Sequence, residues 1–194
     1  MKEKLNSFLN FYRNMNLPNR LTCLRMLLII PFVLCMLPGK AEGAFKWLSL
    51  ILFVAASLTD LLDGKIARGR NLVTDFGKFM DPLADKLLVV SALICLIELD
   101  RVPAWIVLII IAREFIISGF RLIAADNGIV IAAGMSGKVK TVLQMIMVIL
   151  MIINFTGGPM KVLTDIVMYA AIIMTIVSLV EYIYKNRSVI STQK

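Results

Sequence analysis

Six apolar stretches follow one another along this 194-residue chain. Each is close to the roughly 20 residues that a helix needs to cross a bilayer. Hydrophobic residues make up 59% of the chain, far more than a soluble domain of this size can bury. We therefore expect an all-α, polytopic membrane protein whose six transmembrane helices lie near residues 18–38, 45–67, 82–99, 103–125, 138–156 and 161–184.

The N-terminal segment, residues 1–16, is too polar to cross a membrane. Basic residues stand between its apolar residues, and the apolar residues recur at helical spacing: Leu5, Phe8, Leu9, Tyr12 and Met15. This pattern predicts an amphipathic helix on the membrane surface, with a frayed tail as the alternative. We expect residues 17–194 to form one six-helix membrane domain.

The basic residues predict the orientation of the chain. Its net charge is +8, which in a soluble protein would raise the question of nucleic-acid binding. Here Lys and Arg concentrate in the N-terminal segment, in residues 65–86 and 113–140, and at the C-terminus. By the positive-inside rule these regions and both termini face the cytoplasm, so we expect a cell-membrane protein with no nucleic-acid partner.

Four aspartates lie within 26 residues of each other: Asp60, Asp63, Asp81 and Asp85. Each carboxylate near hydrocarbon costs roughly 2.5–3.5 kcal/mol on insertion scales. Four of them close together therefore indicate a bound cation. Asp60 and Asp63 share a helix face, and Asp85 lies one turn beyond Asp81. We expect Asp81 to be an N-cap with Pro82 as the first helical residue. The chain has no histidine, so any metal ligands are oxygens, which suits one or two Mg²⁺ or Mn²⁺ ions.

Small residues accompany the aspartates. Gly64 and Ala67 continue the face of Asp60 and would leave room for a ligand, although ordinary helix packing explains them equally well. Gly77 would remove an obstruction in the connecting loop. Arg68 can bind a phosphate group through two hydrogen bonds.

Taken together, these positions read Asp60-x2-Asp63-Gly64-x2-Ala67-Arg68-x8-Gly77-x3-Asp81-x3-Asp85. This pattern resembles the full signature of the CDP-alcohol phosphotransferase family. The resemblance implies a six-helix membrane enzyme, commonly a homodimer, in which an alcohol displaces CMP from a CDP-linked lipid with the help of a divalent metal. It further implies that Asp60, Asp63 and Asp81 bind metal and that Asp85 is the base and also touches a metal. Gly64, Ala67, Arg68 and Gly77 would line the cytidine diphosphate.

A second cluster is cationic. The fourth apolar stretch contains Arg113, Glu114 and Arg121, and Lys138 and Lys140 open the fifth. Glu114 and Arg121 share a helix face, which predicts an ion pair, whereas Lys138 and Lys140 point to nearly opposite sides. Cations in a membrane segment indicate a phosphorylated ligand or, alternatively, side chains that reach for the head groups.

The runs Arg113-Glu114-Phe115, Ser118-Gly119-Phe120-Arg121 and Gly137-Lys138-x-Lys140-Thr141 resemble one branch of that family. Its members use CDP-diacylglycerol and glycerol 3-phosphate to make phosphatidylglycerol phosphate and CMP. The resemblance implies that the acceptor phosphate is held by Arg113, Arg121, Lys138 and Lys140. Asn19, Thr22 and Arg25 form a stripe that either borders the nucleotide or packs the polar end of the first helix.

Two kinds of alternative remain open. Within the family, the acceptor could be serine, inositol phosphate or a second phosphatidylglycerol molecule, the last of which gives cardiolipin. In another class, a small cation transporter would also explain membrane aspartates. A transporter would not explain why small residues and an arginine stand at these fixed positions, namely Gly64, Ala67, Arg68 and Gly77.

Overall fold

The computed structural model describes residues 15–69, 75–126, 131 and 134–187. Side chains are described over these residues except at positions 18, 60–69, 75–79, 81–82 and 126. The predicted amphipathic helix of residues 1–16 falls almost wholly outside this part of the chain, which leaves it a prediction.

Across the described residues the fold is all-α, as expected, and six helices follow one another with no strand. They are α1 (Leu17–Cys35), α2 (Gly43–Gly69), α3 (Asp75–Glu98), α4 (Ala104–Asp126), α5 (Met135–Ile153) and α6 (Gly158–Lys185). Each corresponds to one apolar stretch. With the exception of the start of α3, the observed ends lie close to the predicted ones.

The start of α3 corrects two predictions. The helix begins at Asp75, so Asp81 is an interior residue and not an N-cap, and Gly77 lies in the first turn and not in a loop. An acidic residue favours a helix N-terminus, so Asp75 provides an earlier start signal. Pro82 has no N–H to donate to the carbonyl of Lys78, and the helix continues through this missing bond.

The chain divides into two compact units, Met1–Ala92 and Leu93–Lys194. In the first unit α1 packs along α2. The centre of this contact is formed by Phe32 and Phe53, both fully buried, whose ring centroids lie 5.9 Å apart. Ala56, one turn further along α2, is also fully buried. Because its side chain is small, the two helices can approach closely there.

In the second unit α6 packs against both α4 and α5. The core draws on buried residues from all three helices, including Ile106, Ile110, Val148, Ile152 and Ile172. Arg101, in the loop before α4, donates from Nη1 to the carbonyls of Met151 and Ile152 at 3.1 Å each. These carbonyls belong to the last turn of α5, where the helix offers no N–H of its own. The Arg101 side chain thus joins this loop to the end of α5.

The exposed surface of the helices is apolar, which indicates a membrane protein. Leu108, Phe115 and Leu122 recur every seven residues along α4 with exposures of 67%, 68% and 70%. Among the described residues, Met135–Ile153 and Gly158–Lys185 are long and apolar enough to cross a bilayer. The apolar run of α4 is interrupted by Arg113, Glu114 and Arg121. By length and composition two of the described helices can thus cross a bilayer, and the six-span arrangement stays a prediction.

Candidate active site

Each predicted aspartate pair lies within one helix. Asp60 and Asp63 are three residues apart in α2, and Asp81 and Asp85 are four apart in α3, so each pair shares a helix face. Asp85 has a described side chain, and it is exposed. The side chains of the other three lie outside the description, as do those of Ala67 and Arg68. Gly64 lies in α2 and Gly77 in the first turn of α3.

The donor atoms of these aspartates fit a hard divalent cation. The chain contains no histidine, and carboxylate oxygens are the ligands that Mg²⁺ and Mn²⁺ prefer. Among the described side chains no group of three acidic or cysteine residues is close enough to hold a metal. The side chains of three of the four predicted ligands are not among those described, so the metal site stays a prediction.

One face of α1 buries polar side chains. Asn19 is 7% exposed, while Thr22 and Arg25 are fully buried. Burial of such groups is unfavourable unless their polar atoms find partners. We therefore expect this face of α1 to contact other polar groups. The stripe expected from the sequence therefore exists. Burial alone fits both proposed roles of this stripe, so its contact with the nucleotide stays a prediction.

A cluster of charged side chains connects α4, α5 and α6 within the second unit. Arg113 on α4 is buried, and its Nε donates to the hydroxyl of Ser178 on α6 at 3.2 Å. Its Nη1 donates to Oε1 of the adjacent Glu114 at 3.3 Å. Ser178 in turn donates to the carbonyl of Thr175 at 3.0 Å, so its oxygen is directed at the guanidinium.

Lys140 joins this cluster from α5. The side chain is 2% exposed, and its Nζ contacts the same Oε1 of Glu114. The predicted pair between Glu114 and Arg121 is wrong, because Glu114 instead binds Arg113 and Lys140. Arg121 is exposed and donates to the carbonyl of Ile131 at 3.3 Å.

The two lysines at the start of α5 point to different sides, as predicted. Lys140 is buried, whereas Lys138 is exposed. Gly137 lies beside Arg113, and a Cβ at this position would be 3.4 Å from Nη2 of that arginine. The absence of a side chain at Gly137 therefore leaves space next to the guanidinium.

Sequence reasoning missed Ser178. The available signal was a polar stripe in an apolar helix, since Thr175, Ser178 and Tyr182 recur at helical spacing and are all buried. The Tyr182 ring packs edge-on against Phe120 of α4, with centroids 6.2 Å apart. Such a stripe in a membrane helix indicates contacts with another polar group.

The chain belongs to the CDP-alcohol phosphatidyltransferase family, whose sequence model matches residues 15–177. Members of this family generally use a divalent metal. The chain is 43% identical over 191 residues to the CDP-diacylglycerol–glycerol-3-phosphate 3-phosphatidyltransferase of Bacillus subtilis, covering 91% of this chain and 98% of that protein.

Two further relatives are similarly named. A probable phosphatidylglycerophosphate synthase of Mycobacterium tuberculosis (strain H37Rv) is 37% identical over 169 residues, or 87% of this chain and 80% of that protein. A CDP-diacylglycerol–glycerol-3-phosphate 3-phosphatidyltransferase of Haemophilus influenzae is 36% identical over 174 residues, or 87% and 91% of the two chains. The resemblance drawn from the sequence motifs is thereby confirmed.

Proposed function

We propose that this protein transfers the phosphatidyl group of CDP-diacylglycerol to glycerol 3-phosphate, giving phosphatidylglycerol phosphate and CMP. The family match over residues 15–177 and the names of the relatives support this reaction. Among the described residues, one observation favours a phosphorylated acceptor. Arg113 and Lys140, which come from two different helices, are both buried and converge on one carboxylate.

The acceptor phosphate is proposed to bind at this cluster. Arg113 uses Nε and Nη1 for Ser178 and Glu114. Its Nη2 makes no hydrogen bond to the described residues and lies beside the space at Gly137. A phosphate oxygen there would accept a charge-assisted hydrogen bond from a guanidinium already held in place. Arg121 and Lys138 are the proposed outer contacts of the same phosphate.

The donor is proposed to bind at the aspartate signature. Asp60, Asp63, Asp81 and Asp85 would hold one or two Mg²⁺ or Mn²⁺ ions, and Gly64, Ala67, Arg68 and Gly77 would line the cytidine diphosphate. Asn19 and Thr22 are further proposed nucleotide contacts. A bound divalent ion would neutralise the pyrophosphate and the charge that develops on the departing CMP.

Asp85 is proposed to be the general base. With no histidine in the chain, the base must be a carboxylate or a lysine, and a carboxylate is ionised at neutral pH. The exposed side chain of Asp85 is accessible to an incoming hydroxyl group. Its role would be to take the proton of the glycerol 3-phosphate hydroxyl as the oxygen attacks phosphorus.

The lipid substrate agrees with the apolar surface. We propose that all six helices cross the cell membrane as one domain of residues 17–194, with an amphipathic helix over residues 1–16. Both termini and the active site would face the cytoplasm, as the distribution of Lys and Arg predicts. A homodimer is proposed from the family resemblance alone.

The decisive experiment measures CMP release by the purified full-length protein. CDP-diacylglycerol is supplied with a panel of acceptors: glycerol 3-phosphate, serine, inositol phosphate and phosphatidylglycerol. We expect glycerol 3-phosphate to be preferred, EDTA to stop the reaction, and Mg²⁺ or Mn²⁺ to restore it. If another acceptor were turned over faster than glycerol 3-phosphate, that compound would be the acceptor instead. Ion flux into liposomes without CMP release would favour the transporter alternative.

A further inference from the structure

The second unit contains a cavity of about 350 Å³ that the proposed reaction does not use. Four segments line it: the loop before α4, the end of α5, the turn that follows α5 and the first two turns of α6. Its volume lies in the range of small-ligand sites, roughly 300–1,000 Å³. Met151 in its wall is eleven residues beyond Lys140 along α5, about 16 Å at 1.5 Å per residue. The cavity is therefore separate from the cationic cluster.

With α5 and α6 crossing the membrane as proposed, the cavity would lie at a membrane surface. It is lined by Asn154, Phe155 and Thr156, which belong to the turn between α5 and α6. Both of these helices are apolar enough to cross a bilayer. A short turn between two spanning helices must lie where hydrocarbon meets water. Its occupant should therefore come from the interface, which is filled by lipid head groups.

The lining carries charges of both signs. Arg101 and Lys161 supply two cations, and Asp100 and Asp165 supply two carboxylates. Lys161 and Asp165 are one turn apart on α6, yet they form no ion pair among the described contacts. Both side chains are exposed. Their charges are thus available to a ligand that carries a negative and a positive group.

Contacts within the fold hold part of the cavity wall. Arg101 is held by its two hydrogen bonds to the carbonyls at the end of α5. Among the described residues, only Asp100 and Asn154 are non-glycine residues with positive φ, at 54° and 52°, and both line this cavity. The apolar part of the lining, Leu150 and Phe155 among it, suits the glycerol backbone and the first carbons of an acyl chain.

We propose that this cavity binds the head group of an ethanolamine phospholipid. The phosphodiester would bind between Arg101 and Lys161, and the primary ammonium between Asp100 and Asp165. A primary ammonium donates three hydrogen bonds, which these carboxylates can accept. A choline head group has no N–H to donate, and a phosphatidylglycerol head group has no cation for the two aspartates.

The test is a lipid titration monitored by native mass spectrometry. Full-length protein, stripped of lipid in detergent, is titrated with dihexanoyl phosphatidylethanolamine, phosphatidylcholine or phosphatidylglycerol. O-phosphoethanolamine is added as a competitor to separate head-group binding from acyl-chain binding. The variants are Lys161→Met and Asp165→Asn. Lys185→Met removes a cation from the exposed pair with Glu181 and serves as the control.

We expect the ethanolamine lipid to bind about fivefold more tightly than the choline lipid, the effect of one charge-assisted contact at an interface. Asp165→Asn should abolish this preference, because it removes an acceptor for the ammonium. Lys161→Met should weaken the binding of both lipids, because they share the phosphodiester, and Lys185→Met should change neither affinity nor preference. O-phosphoethanolamine should displace the lipid. Equal binding of the ethanolamine and choline lipids, tighter binding of phosphatidylglycerol, a preference unchanged in Asp165→Asn, or an affinity unchanged in Lys161→Met would each overturn the proposal. CMP release in detergent verifies that the variants are folded, and it does not report on this site.

Discussion

Ser178 on α6 accepts a hydrogen bond of 3.2 Å from Nε of Arg113 on α4, and both residues are buried. This contact orients the guanidinium, because Nε and Nη1 are fixed by Ser178 and Glu114 while Nη2 is directed toward Gly137. The two helices run in the same direction along this contact, since Phe120 and Tyr182 meet further along both of them.

Replacing Ser178 should weaken acceptor binding more than turnover. In Ser178→Ala, Arg113 Nε loses its acceptor and the guanidinium is less well oriented, so KM for glycerol 3-phosphate should rise about tenfold. The kcat value should change little. Steady-state kinetics with varied acceptor measure both constants. Ser57→Ala is the control, because the Ser57 hydroxyl donates to the Phe53 carbonyl of its own helix. An unchanged KM in Ser178→Ala would contradict the orienting role.

A methyl group at Gly137 should reduce acceptor affinity without loss of stability. The Cβ of Gly137→Ala would lie 3.4 Å from Arg113 Nη2, in ordinary contact, and would fill part of the space proposed for a phosphate oxygen. We expect KM for glycerol 3-phosphate to rise severalfold. The melting temperature should not fall, because alanine favours helix.

Gly119→Ala provides the matched control for this substitution. A Cβ at Gly119, in the middle of α4, would meet nothing within 4 Å. Its KM should equal that of the unaltered protein, with an equal or higher melting temperature. Equal KM changes in Gly119→Ala and Gly137→Ala would show that the effect does not arise from the space beside Arg113.

Lys140 and Lys138 should differ sharply in their effects. Lys140→Met removes a buried cation from Glu114, which should lower the melting temperature by several degrees and kcat/KM at least tenfold. Lys138 is exposed, so Lys138→Met should leave the melting temperature unchanged and reduce kcat/KM less. Thermal unfolding and kinetics on the same samples make the comparison. Equal losses in the two variants would contradict the view that the buried Lys140 contributes more to the cluster than the exposed Lys138 does.

Asp85→Asn should abolish CMP release while the protein stays folded. An amide cannot take the proton of the acceptor hydroxyl and is a poorer metal ligand, so turnover should fall by at least a hundredfold. Glu98→Gln removes an exposed carboxylate from the C-terminal end of the same helix and should retain full activity. Gel filtration and thermal unfolding monitor folding. Normal turnover in Asp85→Asn would exclude the base role.

The sequence predicts the helices well because long apolar runs separated by Pro and Gly leave few other solutions. It fails at the start of α3, where Asp81 followed by Pro82 is a strong start signal and the helix nevertheless begins at Asp75. The preference of Pro82 for the first turn of a helix concerns only its own neighbourhood. The observed helix also includes the residues from Asp75 to Asp81, and it continues through Pro82.

The cationic cluster shows a different limit. Helical spacing correctly places Lys138 and Lys140 on different sides of α5, because that depends on one helix alone. The same reasoning pairs Glu114 with Arg121, and the pair does not form because Lys140 approaches Glu114 from another helix. Ser178 could not be connected to Arg113, 65 residues earlier, before the packing of α4 on α6 was known.

The burial of Arg113 and Lys140 has a consequence for ionic strength. Dissolved salt weakens interactions between charges that water reaches and affects buried pairs much less. The contacts of Glu114 with these two cations should therefore persist in concentrated salt. Among the proposed acceptor contacts the exposed Arg121 and Lys138 should respond most, so the dependence of acceptor affinity on salt would chiefly measure their contribution.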